Sequence, residues 1–283
     1  MKMLKQISFV KIILLFGVFL TLSQSLHSNT IIVDPNGSGF TKIQDAINAA
    51  LINDTVKVYP GTYIEAINLN KNIVVIGSGC ENTIITGANT QTILMSAGKL
   101  MWFYISSTGG YGIKLSYGTV SNCLIKGCSS DGINISSPGY GYINNCVIVN
   151  NGGYGINASS TYYSYVVNCI SRNNTSNGYR ADYYAQCIAL SYSCGSQSYT
   201  SGNQGCFDAD PLFIASNSND YRLAQSSPCF NSGNPSLFDP DGSRCDMGYF
   251  GGPECPIYPV VYEIIMTPSG NNVNIQAKGK ANY

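Results

Sequence analysis

Histidine is all but missing from this chain: His27, near the beginning, is the one copy in 283 residues. Past that point no imidazole is available, which removes histidine-based nucleophilic triads and most catalytic zinc sites. Charge is scarce as well. Lysine, arginine, aspartate and glutamate together make 11% of the residues, fifteen basic against fifteen acidic, so there is no basic footprint for nucleic acid. Long helical periodicity is absent, and after the leading segment no apolar run is long enough to span a bilayer. Low charge with abundant Gly, Ser, Asn and Tyr is compatible with disorder, but 44% hydrophobic residues supply one large core.

The first residues have an order of their own. Lys2, Lys5 and Lys11 precede an uncharged apolar run from Ile12 to Leu22, then Ser23, Gln24 and Ser25. A positive start, an apolar centre and small polar residues read as an export signal over residues 1–28, cleaved near Ser25 or Ser28. A membrane anchor is the competing reading, but the run falls short of the roughly 20 residues a spanning helix needs. Losing three lysines and no acid leaves twelve basic against fifteen acidic residues, a net charge of −3 for a secreted or cell-surface chain. Eleven cysteines would suit a disulfide framework in such a compartment, yet the number is odd and the spacing follows something else.

That something is a repeat. Val-Ser-Asn-Cys-Leu-Ile at 120–125, Ile-Asn-Asn-Cys-Val-Ile at 143–148 and Val-Val-Asn-Cys-Ile-Ser at 166–171 place Cys123, Cys146 and Cys169 at one constant interval. Gly132, Gly155 and Gly178 recur at that same interval. An upstream copy, Leu100 to Ile105 with Gly112, precedes them after a slightly shorter step, and a weaker one centres on Cys187. A period in this range is the mark of a solenoid. Each unit holds short β-branched and apolar runs separated by Gly, Asn and Ser, which reads as short strands joined by turns. Such a unit cannot bury its own apolar face, whereas copies stacked at the roughly 4.8 Å strand spacing share a continuous interior. The expectation is an all-β, single-stranded, right-handed parallel β-helix over residues 29–252, one repeat per coil. Cys123, Cys146 and Cys169, with Cys187 as fourth, then form a column of buried thiols. Asn122, Asn145 and Asn168 form an amide ladder beside it, and Cys128, Asn151 and Asn174 a second one.

An open solenoid end needs a cap. Thr41 to Gln44 has the pattern of a capping box, followed by Ile43, Ala46, Ile47, Ala50 and Leu51 on one helical face, which predicts a short plugging helix. Strands are expected at Thr55–Tyr59, Ile73–Ile76 and Thr83–Thr86. Residues 253–283 change character: Pro259–Thr267 and Asn271–Ala277 read as a hairpin. It either packs on the solenoid or begins a truncated β-sandwich or sorting module.

Several segments resemble known β-helix proteins. Phe40-Thr41-Lys42-Ile43-Gln44-Asp45-Ala46-Ile47, Tyr59-Pro60-Gly61-Thr62-Tyr63-Ile64-Glu65, Asn72 to Gly77 and Thr83 to Gly87 resemble the opening of the pectin lyase-like superfamily, shared with pectin methylesterases. Asp208 to Phe213, Asp220 to Leu223, Ser227-Pro228-Cys229, Asp239 to Arg244 and Asp246-Met247-Gly248 resemble the closing segment of bacterial choice-of-anchor Q surface proteins. The resemblance covers about residues 31–252 and implies the fold more than any activity. Polygalacturonase-like members carry paired aspartates and Gly-His-Gly, for which this chain has no histidine beyond His27. The methylesterase likeness ends before the segments that bring its catalytic residues, so no catalytic residue is assigned.

Three sets of residues remain as candidates. Tyr117, Tyr140 and Tyr163 repeat at the cysteine interval, with Tyr142 and Tyr165 alongside, and a tyrosine ladder suits the faces and hydroxyls of a linear glycan. Mutual stacking over a Gly-rich turn is the bland alternative. Asp239, Asp241 and Asp246 have part of the spacing of a calcium loop but lack its terminal Glu; otherwise they form a turn. A calcium-dependent pectate or uronate lyase would draw acids from Asp131 and Asp182 and a base from Lys114, Lys126, Arg172 or Arg180, all scattered one to a coil. The reading is therefore an exported, monomeric β-helix that binds polysaccharide or serves as a structural spacer, with the lyase as alternative. Cys206, Cys229, Cys245 and Cys255 stand outside the repeat and are the likeliest to pair if any disulfide forms.

Overall fold

A computed structural model describes residues 28–158, 164–176, 179–180, 182–185, 188–196, 204–255, 258–269 and 272–282. The leader through His27, together with Tyr163, Gly178 and Cys187, lies outside these residues.

Alternation of apolar and polar residues builds each coil. Leu100, Val120, Ile143, Val166 and Leu190 occupy one register position on successive coils, and all five are buried. Val120, Ile143 and Val166 keep the spacing of the cysteines, so the repeat read from the sequence is the length of one coil. Strands pair in parallel into a 12-stranded sheet and a 6-stranded one. Tyr111–Ser121 and Ile133–Asn144 run through a bend in the larger sheet, while Leu124–Lys126, Val147–Val149 and Ile170–Arg172 stack in the smaller. The result is a right-handed parallel β-helix of about 6 turns.

The sharp corner between the sheets explains the asparagines. Trp102, Asn122, Asn145, Asn168 and Tyr192 all have left-handed backbone, with φ of 65°, 48°, 47°, 55° and 45°. Asparagine tolerates that conformation better than other residues with a β-carbon. The next residue forms the cysteine column: Cys123, Cys146 and Cys169 are fully buried, and desolvation pushes the Cys123 thiol up to about 12, so it serves as packing rather than as a nucleophile. The fourth place, expected for Cys187, is held by Ser193. Val167 pairs with Ser191 and the Cys169 N–H donates to Ser193 Oγ at 3.1 Å, so Ser193 continues the column.

The second ladder is present. Asn151 Oδ1 accepts from the Cys128 N–H at 2.9 Å, and Asn151 Nδ2 donates to Asn174 Oδ1 at 2.9 Å. Facing it is the glycine column, and here the expected register fails beyond Asn174. Ile156 pairs with Tyr183, not Tyr179, so this coil, which contains the antiparallel pair Thr175–Ser176 and Tyr179–Arg180, is longer than the one before it. Asp182 thereby takes the position expected for Gly178.

The helix Ile43–Ala49 closes the first coil, burying Ile43, Ala46 and Ile47, while Leu51 is exposed. Its capping box does not form, since Lys42 is the N-cap and no side chain from within the box caps it. The Glu65 carboxylate does so from the next coil, accepting from the Ile43 N–H at 2.9 Å and the Gln44 N–H at 3.1 Å. At the other end the Lys71 ammonium donates to the carbonyls of Ile47, Asn48 and Ala50 at 3.0, 2.7 and 2.8 Å. An anion at the N-terminus and a cation at the C-terminus both match the helix dipole. We predict that Lys71→Met lowers stability by about 2 kcal/mol, measured by urea unfolding; an unchanged midpoint would show the clamp to be dispensable.

A second core lies outside the coil. Leu124, Val147, Ile170 and Cys194 pack against Tyr221, Cys229, Met247, Tyr249 and Cys255, so residues 204–255 form a strap over the outer face of the smaller sheet. The asparagine ladder fastens it. Asn122 Nδ2 donates to the carbonyls of Tyr249 and Gly251, Asn145 Nδ2 to those of Asp246 and Gly248, and Asn168 Oδ1 accepts from the Asn234 N–H. The closing strands Tyr258–Ser269 and Asn272–Asn282 pair antiparallel, a longer hairpin than expected.

Candidate functional site

The tyrosines lie on the outward side of the larger sheet. Tyr117 is in register with Tyr140, and Thr119 with Tyr142 and then Tyr165. Because side chains alternate along a strand, the inward Val120, Ile143 and Val166 leave Tyr142 and Tyr165 facing out. Between Tyr140 and Tyr142, Gly141 leaves room for the core: a β-carbon there would meet Leu115 Cδ2 at 2.5 Å. Exposure is 45% for Tyr117, 37% for Tyr140, 42% for Tyr142 and 37% for Tyr165. Tyr142 and Tyr165 are stacked, with centroids 4.9 Å apart and planes at 8°. Tyr140 meets them edge-on at 5.4 and 5.9 Å, and its hydroxyl lies 2.9 Å from that of Tyr142. That hydrogen bond, with some desolvation, pushes Tyr140 up to about 12, so its phenol stays neutral throughout the ordinary pH range. The fifth expected member, Tyr163, is outside the described residues. Both the stacking and the exposure are therefore present in one patch: an apolar surface rimmed by hydroxyls.

Of the lyase set, Asp131, Asp182, Lys126 and Arg172 are each engaged in other bonds. Asp131 is buried, accepting at Oδ1 from the Tyr154 N–H and at Oδ2 from the Asn134 and Asn157 amides. Asp182, also buried, accepts at Oδ2 from the Ser196 N–H and Oγ. Lys126 and Arg172 do share a column through Val149, two coils apart as expected, but Lys126 bonds Asn219 Oδ1 at 2.6 Å and Arg172 is ion-paired with Asp208. Each acid is bonded within the solenoid, and each of these cations is held by the strap.

The aspartates of the calcium-like loop are engaged by backbone. Asp239 accepts from the N–H groups of Gly252 and Asp246, Asp246 from that of Asn231 at 2.6 Å, and Asp241 from that of Ser243 at 2.8 Å. Among the described residues no three His, Cys, Asp or Glu side chains are grouped to hold a metal ion. Through these bonds the three carboxylates hold turns within the strap.

Burial, partly offset by the Asn231 N–H, holds the Asp246 carboxyl up at about 7. A carboxyl whose folded pKa lies above its unfolded value binds its proton more tightly when folded. Its contribution is complete below about pH 4 and is lost as pH rises towards 7. We predict a thermal midpoint that falls by roughly 5 °C between pH 5 and pH 8, and that Asp246→Asn, which keeps an acceptor for Asn231, flattens the curve. Identical pH profiles for the two proteins would remove Asp246 as the cause.

No family profile matches the chain, and no curated protein matches it in sequence. Among solved structures, pectin methylesterase PemA from Erwinia chrysanthemi is similar, with a TM-score of 0.37 and 12% identity over 61% of this chain and 71% of that one. A pectin methylesterase in complex with a hexasaccharide gives 0.32 and 15% over 61% of this chain and 71% of that one. The Agl-KA catalytic domain gives 0.36 and 15% over 65% of this chain and 46% of that one. The fold itself, a parallel β-helix, is set by the chain's own strand pairing. At these identities the likeness concerns the fold alone, and what this β-helix does rests on its own side chains. Among the described residues no helix is long and apolar enough to cross a membrane.

Proposed function

We propose that the protein is an exported polysaccharide-binding β-helix whose contact surface is the tyrosine ladder, without a catalytic step. The observation carrying this reading is the patch of Tyr117, Tyr140, Tyr142 and Tyr165, each more than one-third exposed and held in register on adjacent coils. Exposed aromatic rings rimmed by hydroxyls offer the C–H faces of sugars an apolar partner and their hydroxyls a polar one. Export is supported by the charge, apolar and small-residue order of the leader. Mass spectrometry of the secreted protein should then find its first residue just after Ser25 or Ser28.

The test is retention on a panel of insoluble plant and bacterial polysaccharides, in the presence of calcium. Tyr142→Ala with Tyr165→Ala should weaken retention by at least about tenfold while the far-ultraviolet spectrum is unchanged. Release of unsaturated or reducing chain ends by the wild type would sink the reading in favour of a lyase. Equal retention of wild type and variant would move the binding surface elsewhere.

A further inference from the structure

A pair of cysteines marks the place where the strap meets the end of the smaller sheet. Leu124, Val147, Ile170 and Cys194 form one register column on the outer face of that sheet. A position filled by aliphatic side chains on three coils thus carries a thiol on the fourth, and all four residues are buried. Cys194 Sγ donates to the Ala209 carbonyl at 3.2 Å. From the strap, Cys229 arrives in a turn held by Ser227, whose Oγ accepts from the Cys229 N–H at 3.0 Å and donates to the Pro211 carbonyl. Both cysteines therefore close on the segment 209–211, and there their thiols meet, Cys229 donating to Cys194.

Both are free thiols in the structure. Two sulfurs already in hydrogen-bond contact need little backbone movement to be bridged. The contact also divides their acidity. It holds the Cys194 thiol below the ordinary thiol value and Cys229 well above it, which makes Cys194 the nucleophile of the pair. Burial pushes the thiols of Cys80, Cys123, Cys128, Cys245 and Cys255 upward instead. Cys146 and Cys169 touch as well, but inside the solenoid, where burial pushes Cys146 well above the ordinary value.

We propose that Cys194 and Cys229 form a disulfide as the strap closes, fixing it covalently to the solenoid. The setting, an oxidising compartment outside the cytoplasm, rests on the export reading above. The oxidant is an external disulfide, that of glutathione or of a thiol oxidoreductase. The Cys194 thiolate attacks one of its sulfurs, giving a mixed disulfide and releasing the first thiolate. Cys229, losing its proton to that thiolate, then attacks the Cys194 sulfur and expels the second. Two protein thiols are oxidised and one external disulfide is reduced to two thiols. Because both cysteines are 0% exposed once the strap is in place, the exchange belongs to folding, and the finished bond is shielded from reductants.

The test uses the whole mature protein, reduced, unfolded and refolded either in mixed reduced and oxidised glutathione or in dithiothreitol, then unfolded, alkylated and digested without reduction. After the glutathione refolding, mass spectrometry should find a peptide joining Cys194 to Cys229, while Cys123, Cys146 and Cys169 are alkylated. The dithiothreitol form should keep the far-ultraviolet spectrum and melt roughly 10 °C lower. Cys229→Ser should lack the link and show the same midpoint from both refoldings, whatever serine itself costs. The proposal is overturned if Cys194 and Cys229 are both alkylated after the glutathione refolding, if either is joined to another cysteine, or if the two wild-type forms melt together. None of these readouts depends on export, which the first residue of the secreted protein tests by itself, so the two readings fail separately.

Discussion

Replacing Gly155 with alanine is expected to lower stability by roughly 3–5 kcal/mol and the thermal midpoint by roughly 10 °C. A β-carbon at this position would lie 2.1 Å from Ser171 Oγ, 2.6 Å from Asn174 Nδ2 and 2.6 Å from the Asp182 carbonyl. None of these can retreat cheaply. Ser171 Oγ donates to that same carbonyl at 2.8 Å, and Asn174 Nδ2 donates to Ser171 Oγ at 3.0 Å and to the Ile148 carbonyl at 3.0 Å. A methyl group pushed into this closed network either breaks buried hydrogen bonds or separates two coils. Gly39→Ala is the control, since nothing lies within 4 Å of its added carbon; it should change stability by less than about 0.5 kcal/mol. Thermal unfolding followed by circular dichroism compares the two. Similar midpoints would mean that the column tolerates a side chain and that the glycines have another cause.

Asn145→Ala is expected to cost roughly 3–4 kcal/mol and to free the strap. Three effects act together. The carbonyls of Asp246 and Gly248 lose a buried donor, Asn168 Nδ2 loses one of its two acceptors and keeps the Cys245 sulfur, and alanine must adopt φ near 47°. Asn145→Gly separates them: it accepts the backbone conformation and still lacks the amide, so it should recover about 1 kcal/mol and no more. Limited proteolysis provides the local readout. Residues 204–255 should be cut early in Asn145→Ala and resist in the wild type, whereas equal resistance would show that the outer core alone holds the strap.

The solenoid was legible because its repeat is short-range and periodic. Cysteine, asparagine and glycine recur at one interval, and stacking converts that interval into columns without any knowledge of distant contacts. The same logic misled where the interval changed. The excursion between Asn174 and Asp182 shifts the register, and nothing local marks Asp182 rather than Gly178 as the column's next member. The capping helix was read correctly in place and wrongly in chemistry, since its cap, Glu65, comes from another coil. The strap was least legible of all. Its contacts join Asn122 to Gly251 and Lys126 to Asn219, pairs so far apart in the chain that no periodicity encodes them. For that reason the exposed tyrosines could be proposed from spacing, while the packing of the Tyr221 ring against Phe213 and Lys126 could not; the alternation in Asp220-Tyr221-Arg222-Leu223 marks a strand but not what it faces.

A stack of coils in which each touches only its neighbours can peel apart one layer at a time under load. The strap changes that response. By hydrogen-bonding to Asn122, Asn145 and Asn168 on three successive coils, and by linking Glu254 to Lys99 and Ser121, it ties layers that would otherwise be independent. Pulled along its axis, the molecule should resist as a seam loaded in shear, rupturing in one high-force event where a bare stack would unzip in small steps.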